Sequence, residues 1–394
     1  MTRETLRKQY AEDIPLAQLE ADPYPTFRRL QQDRPLAWVD NLGMWLATRY
    51  ADVTYVLDHP ELFTAETEPS FLADVLGVTM LTLEGEAARR IKRAMQPPFT
   101  AGGRAKGFIR DELESIAHAR VDEFIGDGAV ELMARYAEPI STVSLQRVLG
   151  LDHISTQKMW DLCQGVCAGL ANFEGNPELD RVYQAAKAEL EEILRAKIAE
   201  VRSKPDESAI SYYVDPARDL TDQEIINNVR LMISGGINEP RDGIGMVVYA
   251  YLTHLEGARP TDPDKSFWLK FINEVLRLYS PVGTAARMTT EATELAGVEL
   301  PKGEFIAGCL SAANRDPGFW TDADAFIIDR KQKDHVAFSQ GQHKCLGLWL
   351  GLNEILVGAS VLLERIPQLR LDESQPVKIG GFEFRGPKTL HLVW

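Results

Sequence analysis

Residues 221–257 carry one unbroken helical pattern, and few folds have room for a helix of that length. Thr221 and Glu224 in "LTDQE" match a reciprocal capping box, which predicts where the helix starts. The pattern runs to "YLTHLEG", where Gly257 is placed to end it. At 1.5 Å per residue, such a helix spans roughly 50 Å, enough to cross a whole domain. Its middle is spoiled by "GGINEPRDG", Gly235 to Gly243. Pro240 has no N–H to donate and its ring presses on the carbonyl of Gly236, so the helix is expected to kink or open there. Gly235 and Gly236 remove bulk beside that point, and Asn238 and Glu239 add polar groups that a buried helix does not need. The stretch predicts a notch lined by polar atoms.

Helical patterns dominate the rest of the chain, as in residues 178–204, 264–281 and 345–367. Strand-like segments are short: "LAWVD" with "MWLATR" as a hairpin, "LAGVELPKGEFIAGCL", and the C-terminal "FEFRGPKTLHLVW". The expected class is mainly α with small β-sheets. No linker, repeat or low-complexity segment divides the 394 residues, so one unit over residues 1–394 is expected. The start "MTRETLRKQYAEDIP" lacks an apolar signal core, and the longest apolar run, "IGMVVYAYL", is far short of the roughly 20 residues that cross a bilayer. These features predict a cytoplasmic protein without a membrane partner. A net charge of −15 argues against nucleic acid as a partner, although "RRIKR" at 89–93 concentrates positive charge locally. Cys163, Cys167 and Cys309 read as small buried apolar residues of a reducing compartment.

The fourth cysteine is different. In "HVAFSQGQHKCLGLWLG", Cys345 follows a glycine-bearing loop and opens an apolar helix, where free N–H groups and the helix dipole favour a thiolate. Gly341 and Gly347 let backbone approach a flat ligand. A chance buried cysteine is one alternative. A zinc site from His335, His343 and Cys345 is another, but no further ligand lies nearby in sequence to complete it.

Phe338, Gly341, Cys345 and Gly347, with His343, stand at the Phe-x-x-Gly-x-x-x-Cys-x-Gly spacing of the cytochrome P-450 family of haem-thiolate monooxygenases, which this chain resembles along nearly its whole length. The resemblance implies the cytochrome P-450 fold, with haem b (iron protoporphyrin IX) between the long kinked helix and the cysteine helix, and Cys345 as the axial ligand of iron. It implies a structural pair, Glu274 and Arg277 of "EVLR", tied to Arg330. It gives Arg287 and His343 to the haem propionates. At the family's His-x-x-x-Arg this chain has Ala88 and Lys92, so Lys92 or Arg93 is expected to supply the third contact. The notch would lie over the haem face opposite Cys345, with Gly236 beside bound O2. The family's acid–threonine pair there is replaced by Asn238 and Glu239. Glu239 is therefore expected to take over proton delivery.

The resemblance also places the substrate pocket at Phe71, Leu72, Val75, Met80, Phe173, Leu231, Ser234, Gly235 and Val282. Few charges fall there, which predicts a small apolar or aromatic substrate. A narrower likeness, in the Asn–Glu–Pro of the long helix and in "GFEFRGPKTLHLVW", is to bacterial enzymes that demethylate methoxyphenols such as guaiacol. No fused reductase fits beside a haem domain of this length. Electrons are expected from a separate ferredoxin and ferredoxin reductase, with NAD(P)H acting only through that reductase. The 89–93 cluster, Arg104, Lys106 and Lys344 form the expected docking patch. A biosynthetic hydroxylase of terpenoids or other secondary metabolites, a peroxide-driven haem enzyme and a non-catalytic haem sensor are the competing readings.

Overall fold

Thr221 makes the expected cap. Its hydroxyl accepts from the Glu224 amide at 3.2 Å, and Glu224 accepts from the Thr221 amide at 2.8 Å. The computed structural model describes residues 2–256, 259–260, 263–331 and 334–394, without the side chains of Arg104 and Arg110. The described helices begin with α1 (Arg3–Gln9), α2 (Leu16–Ala21), α3 (Tyr24–Asp33), α4 (Tyr50–Asp58) and α5 (Phe71–Leu76). Next come α6 (Gly85–Met95), α7 (Arg104–Phe108), α8 (Glu114–Asp122), α9 (Glu138–Leu149) and α10 (Thr156–Leu170). The second half holds α11 (Pro177–Ser203), α12 (Ala209–Tyr213), α13 (Asp222–His254), α14 (Lys265–Leu278), α15 (Leu310–Ala313) and α16 (Leu348–Arg365).

Strands are short: β1 (Leu36–Val39), β2 (Met44–Ala47), β3 (Phe63–Thr64), β4 (Ala129–Glu131), β5 (Thr284–Thr289) and β6 (Thr293–Leu295). They continue with β7 (Val298–Leu300), β8 (Phe305–Cys309), β9 (Arg370–Leu371), β10 (Lys378–Gly380), β11 (Gly386–Thr389) and β12 (His391–Val393). The largest sheet has the order β1-β2-β8-β5-β3, with β2 and β8 parallel and the other pairs antiparallel. The expected N-terminal hairpin is β1–β2, and the C-terminal segment pairs through β11 and β12.

α13 runs through the core for 33 residues. It is assigned as helix without interruption across Gly235–Gly243, so Pro240 does not open it into separate segments. The missing amide of residue 240 still leaves the Gly236 carbonyl without its helical donor. Gly257, the expected stop, lies outside the described residues; the helix ends at His254. Against α13 lie α9, α10 and α16. The crossing with α16 depends on two glycines, because a Cβ on Gly243 would stand 2.4 Å from Ile355 and one on Gly358 would stand 2.8 Å from Ile244. α16 itself starts at Leu348, three residues later than the cysteine expected to open it.

That packing encloses an ionisable group. Glu354 on α16 is 1% exposed, and neither of its carboxyl oxygens has a well-formed hydrogen bond, although the Ser144 hydroxyl on α9 faces them. Burial pushes its pKa up from 4.5 to about 8. The unfolded chain releases this proton near pH 4.5, whereas the folded chain holds it to about pH 8. Stability should therefore fall as pH rises through that window, by up to about 5 kcal/mol at 1.36 kcal/mol per unit. Denaturation of Glu354→Gln and wild-type protein should show the variant gaining between pH 5 and 8, with a constant difference on either side. Parallel curves would contradict the assignment.

Candidate functional site

The loop before α16 is set by two left-handed residues, Ser339 at φ 55° and Gly341 at φ 64°. A Cβ at Gly341 would approach the Leu57 carbonyl to 2.9 Å, so only glycine fits this turn against the end of α4. The Cys345 amide donates to the Phe338 carbonyl at 2.9 Å, and Gln340 donates to Asp58 at 2.6 Å. The turn leaves Cys345 surrounded by protein yet with its side chain uncovered. Such a combination describes a side chain facing an internal space. Gly347 opens onto the same emptiness: a Cβ there would meet nothing within 4 Å.

The facing wall is α13. Leu231, Gly235 and Glu239 keep partial accessibility while Met232, Ile233, Ser234, Ile237 and Asn238 are buried. These three are spaced four apart, hence on one helical face. Negative charge on Glu239 raises the electrostatic cost of ionising Cys345 across the gap. The Glu239 carboxyl rests 3.6 Å from the Cβ position of Gly235, with Oε2 buried and without a partner. Burial, then Cys167, Asp242 and Glu383, hold its pKa well above the ordinary carboxyl range. Asn238 turns its side chain toward α10, as does the Ser234 carbonyl, while the Ser234 hydroxyl donates to the Leu231 carbonyl at 2.9 Å. The Ser234 carbonyl accepts from the Cys163 and Cys167 thiols at 3.8 Å each, and Asn238 Oδ1 accepts from Gln164 at 3.3 Å. Both of those cysteines and Cys309 are buried, as expected.

The dipole at the start of α16 does not by itself make Cys345 a thiolate. Burial pushes its pKa up to about 11, and the amides of Gly347 and Leu348 and the Lys92 ammonium recover only part of that. A cation ligating the sulfur must displace the proton. Among the described residues no group of three His, Cys, Asp or Glu is placed to hold a bare metal ion. His335 is committed elsewhere: it meets Asn273 at 3.2 Å and accepts from the Ala337 amide, with its pKa lowered to about 4 by burial and Arg277.

Cations gather at the rim. Arg287 on β5 is 3% exposed and bonds only the Ala286 carbonyl, at 2.7 Å. His343 Nε2 lies 3.1 Å from the Glu84 carboxylate. Glu84 also accepts from the Ala65 amide at 2.7 Å. Burial alone would raise the Glu84 pKa, but His343, that amide and Arg287 together lower it. Lys92 donates to the carbonyls of Gln342 and Lys344 at 2.7 and 2.6 Å, under the cysteine loop. Arg93 is not brought to the site; its exposed side chain pairs with Glu86. A helix turns by about 100° per residue, so two adjacent residues cannot both face the loop.

A family model described as Cytochrome P450 matches residues 267–379, which holds the cysteine loop and the Glu274–Arg277 helix. The chain is a cytochrome P450. This P450 is 26% identical to pulcherriminic acid synthase of Bacillus subtilis over 96% of each chain. It is 28% identical to mycinamicin IV hydroxylase/epoxidase of Micromonospora griseorubida over 89% of each. Among solved structures, P450BioI bound to an acyl-ligated acyl carrier protein superposes with a TM-score of 0.87 at 22% identity, covering 95% of this chain and 98% of that one. CYP109E1 of Bacillus megaterium with testosterone gives 0.82 at 22% identity, covering 94% and 99%. The protein is thus a P450 monooxygenase.

The residues present fit haem. A sulfur faces an enclosed space between two helices, Gly347 leaves room on its side, and a buried guanidinium and imidazole already converge on one carboxylate, Glu84. Two carboxylates of a cofactor would find the same donors. The supporting triad is formed: Arg277 holds Glu274 through two 2.8 Å bonds, and Arg330 adds a third at 3.1 Å. Of the expected pocket residues, Phe71 on α5 stacks with Phe173 at 5.9 Å, and Phe173 meets Phe382 edge-on at 6.0 Å. Leu72 and Val282 are partly buried, while Val75 and Met80 lie in the core, at 4% and 9% exposure. Sequence reasoning did not single out Phe382, Glu84, Gln164 or Glu383. Only Glu383, an acid between two phenylalanines in "GGFEFRG", carried a local signal.

Proposed function

We propose that this P450 oxygenates a compact aromatic substrate, with O-demethylation of a methoxyaromatic as its reaction and a separate ferredoxin as its electron donor. The observation that supports this reading is the aromatic line Phe71–Phe173–Phe382, which joins two of the expected pocket residues to a third ring. Aromatic walls favour a flat apolar guest. Haem held by Cys345 supplies oxygen activation and insertion when bound. The chain's part is to ligate through Cys345, to bind the propionates through Arg287 and His343 with Lys92 beneath, and to manage protons at Glu239. The balance is one methoxyaromatic, O2, two electrons and two protons giving a phenol, formaldehyde and water.

Two observations support the electron donor. Lys106 and Lys344 are exposed, as are Arg89 and Arg93, which share the single carboxylate of Glu86, and Lys92 fixes the loop bearing Lys344. Arg90 leaves the patch by pairing with Glu224, and the side chain of Arg104 lies outside the described residues. A cationic surface on a chain of charge −15 suits an acidic partner. No described helix is long and apolar enough to cross a membrane.

The test is turnover of a methoxyphenol with ferredoxin and reductase. One formaldehyde per phenol is the expected yield, and binding without formaldehyde would refute demethylation. The names of the relatives support a second reading, hydroxylation of a biosynthetic metabolite, which would give an alcohol without formaldehyde. Burial holds the Glu239 pKa well above the ordinary carboxyl range, and among the described residues its Oε2 has no hydrogen-bond partner. Glu239→Gln should lower product formed per electron pair at least about tenfold, within the usual range for general acids. Unchanged coupling would remove Glu239 from that role.

A further inference from the structure

Glu383 is a second acid facing the enclosed space, and it is held from a rigid backbone. Residues 382–385 are zipped onto residues 281–284. The Gly283 amide donates to the Glu383 carbonyl and the Arg385 amide to the Pro281 carbonyl, both at 2.8 Å, and Val282 bridges to Phe384. Arg385 anchors the loop further, donating to the carbonyls of Glu20 and Ala21. From this frame the Thr284 hydroxyl donates to Glu383 Oε2 at 2.6 Å. Among the described residues Oε1 has no hydrogen-bond partner. Like Cys345, the side chain is surrounded by protein yet partly uncovered, so it borders internal space. Its neighbour Phe382 meets Phe173, and Val282 of the paired segment is another of the expected pocket residues.

Among the described residues no cation pairs with it. Burial raises its pKa to about 7, and only the Thr284 hydrogen bond opposes the rise. A carboxyl group left half-paired in a desolvated cavity is costly, whether charged or neutral. A wholly apolar guest would leave that cost in place; a guest with a donor at the right edge would remove it.

We propose that Glu383, oriented by Thr284, is the polar anchor of the substrate, accepting through Oε1 a hydrogen bond from a hydroxyl or amine on an otherwise apolar body. This rests on the reading that the space holds substrate, and it narrows the substrate class to donors. Anchoring at one edge fixes which other edge meets the Gly235–Glu239 face, so Glu383 is a specificity-determining residue.

The experiment is a Soret-shift titration of the haem-loaded enzyme with matched ligands: 2-methoxyphenol, 2-methoxyaniline and donor-free 1,2-dimethoxybenzene, together with a terpene alcohol and its methyl ether. The donor of at least one pair should bind about tenfold or more tightly than its ether. Glu383→Ala and the volume-keeping Glu383→Leu should erase that preference while the ethers stay within about twofold. The carbon monoxide spectrum of each variant confirms that the haem pocket is intact. Glu383→Gln keeps an acceptor oxygen, so both the hydroxyl and the neutral aromatic amine should retain their preference in that variant. Equal affinity within every pair, or a preference that survives both Ala and Leu, overturns the proposal. Donor preference confined to the terpene pair would sink the aromatic reading and leave the anchor standing. Demethylation without donor preference would do the reverse.

Discussion

Arg277→Ala is expected to cost about 3–5 kcal/mol, the usual penalty for stripping one partner from a buried ion pair. Arg277 is 1% exposed and its guanidinium spends every donor direction inside the protein. Two bonds go to Glu274, and three more go to the carbonyls of Asn314, Ala323 and Ala325 at 2.8, 2.8 and 3.0 Å. Alanine would leave the Asn314 and Ala323 carbonyls without that donor, Ala325 held by Arg330 alone, and Glu274 supported by Arg330 and the Ile327 amide alone. The expected loss is a large part of the 5–15 kcal/mol that holds a typical domain folded. Lysine restores charge but not the planar fork, so Arg277→Lys should fall between wild type and alanine. Denaturant midpoints and haem content of the three proteins decide this. An alanine variant within 1 kcal/mol of wild type would show that the triad is dispensable.

The contrast between this triad and Glu383 explains what the sequence could and could not reveal. Glu274 and Arg277 are one helical turn apart, so helix geometry alone places them face to face. The start of α13 is likewise local, because its capping box lies within four residues. Glu383 meets Thr284 across 99 residues, through a loop that returns to the sheet only after α16 has packed. No local pattern encodes that return. Lys92 and Arg93 form an intermediate case: helical spacing says that one must turn away, but which one depends on where the cysteine loop lies. The Gly243–Gly358 crossing was equally hidden, since each glycine has meaning only against the isoleucine opposite. Even the notch was half legible. Its residues stood out, yet the sequence could not show that α13 absorbs Pro240 without ending, or that Asn238 faces α10 rather than the cavity.

Cys345→Ser should abolish turnover while leaving the fold intact. Serine keeps the size of the side chain, and the loop that carries it is fixed by other atoms: the left-handed turn at Ser339 and Gly341, the backbone bond to Phe338, and the Gln340–Asp58 contact. Apo-protein stability should therefore stay within about 1 kcal/mol of wild type, the usual range for a substitution that opens no cavity and strands no charge. Ligation is another matter. The site holds the cysteine proton tightly, up to about pH 11, so only a metal able to bind a thiolate can take the proton's place. A hydroxyl is far more reluctant to ionise, and in this desolvated position the Gly347 and Leu348 amides cannot make up the difference. Arg287 and His343 remain, so haem should still enter, but its reduced carbon monoxide complex should lack the far-red Soret band of thiolate ligation. Product formation should drop to background even where substrate binds. A serine variant that keeps the far-red band would show that another group ligates the iron, and the arrangement of α13, Glu239 and Glu383 around Cys345 would then need a different explanation.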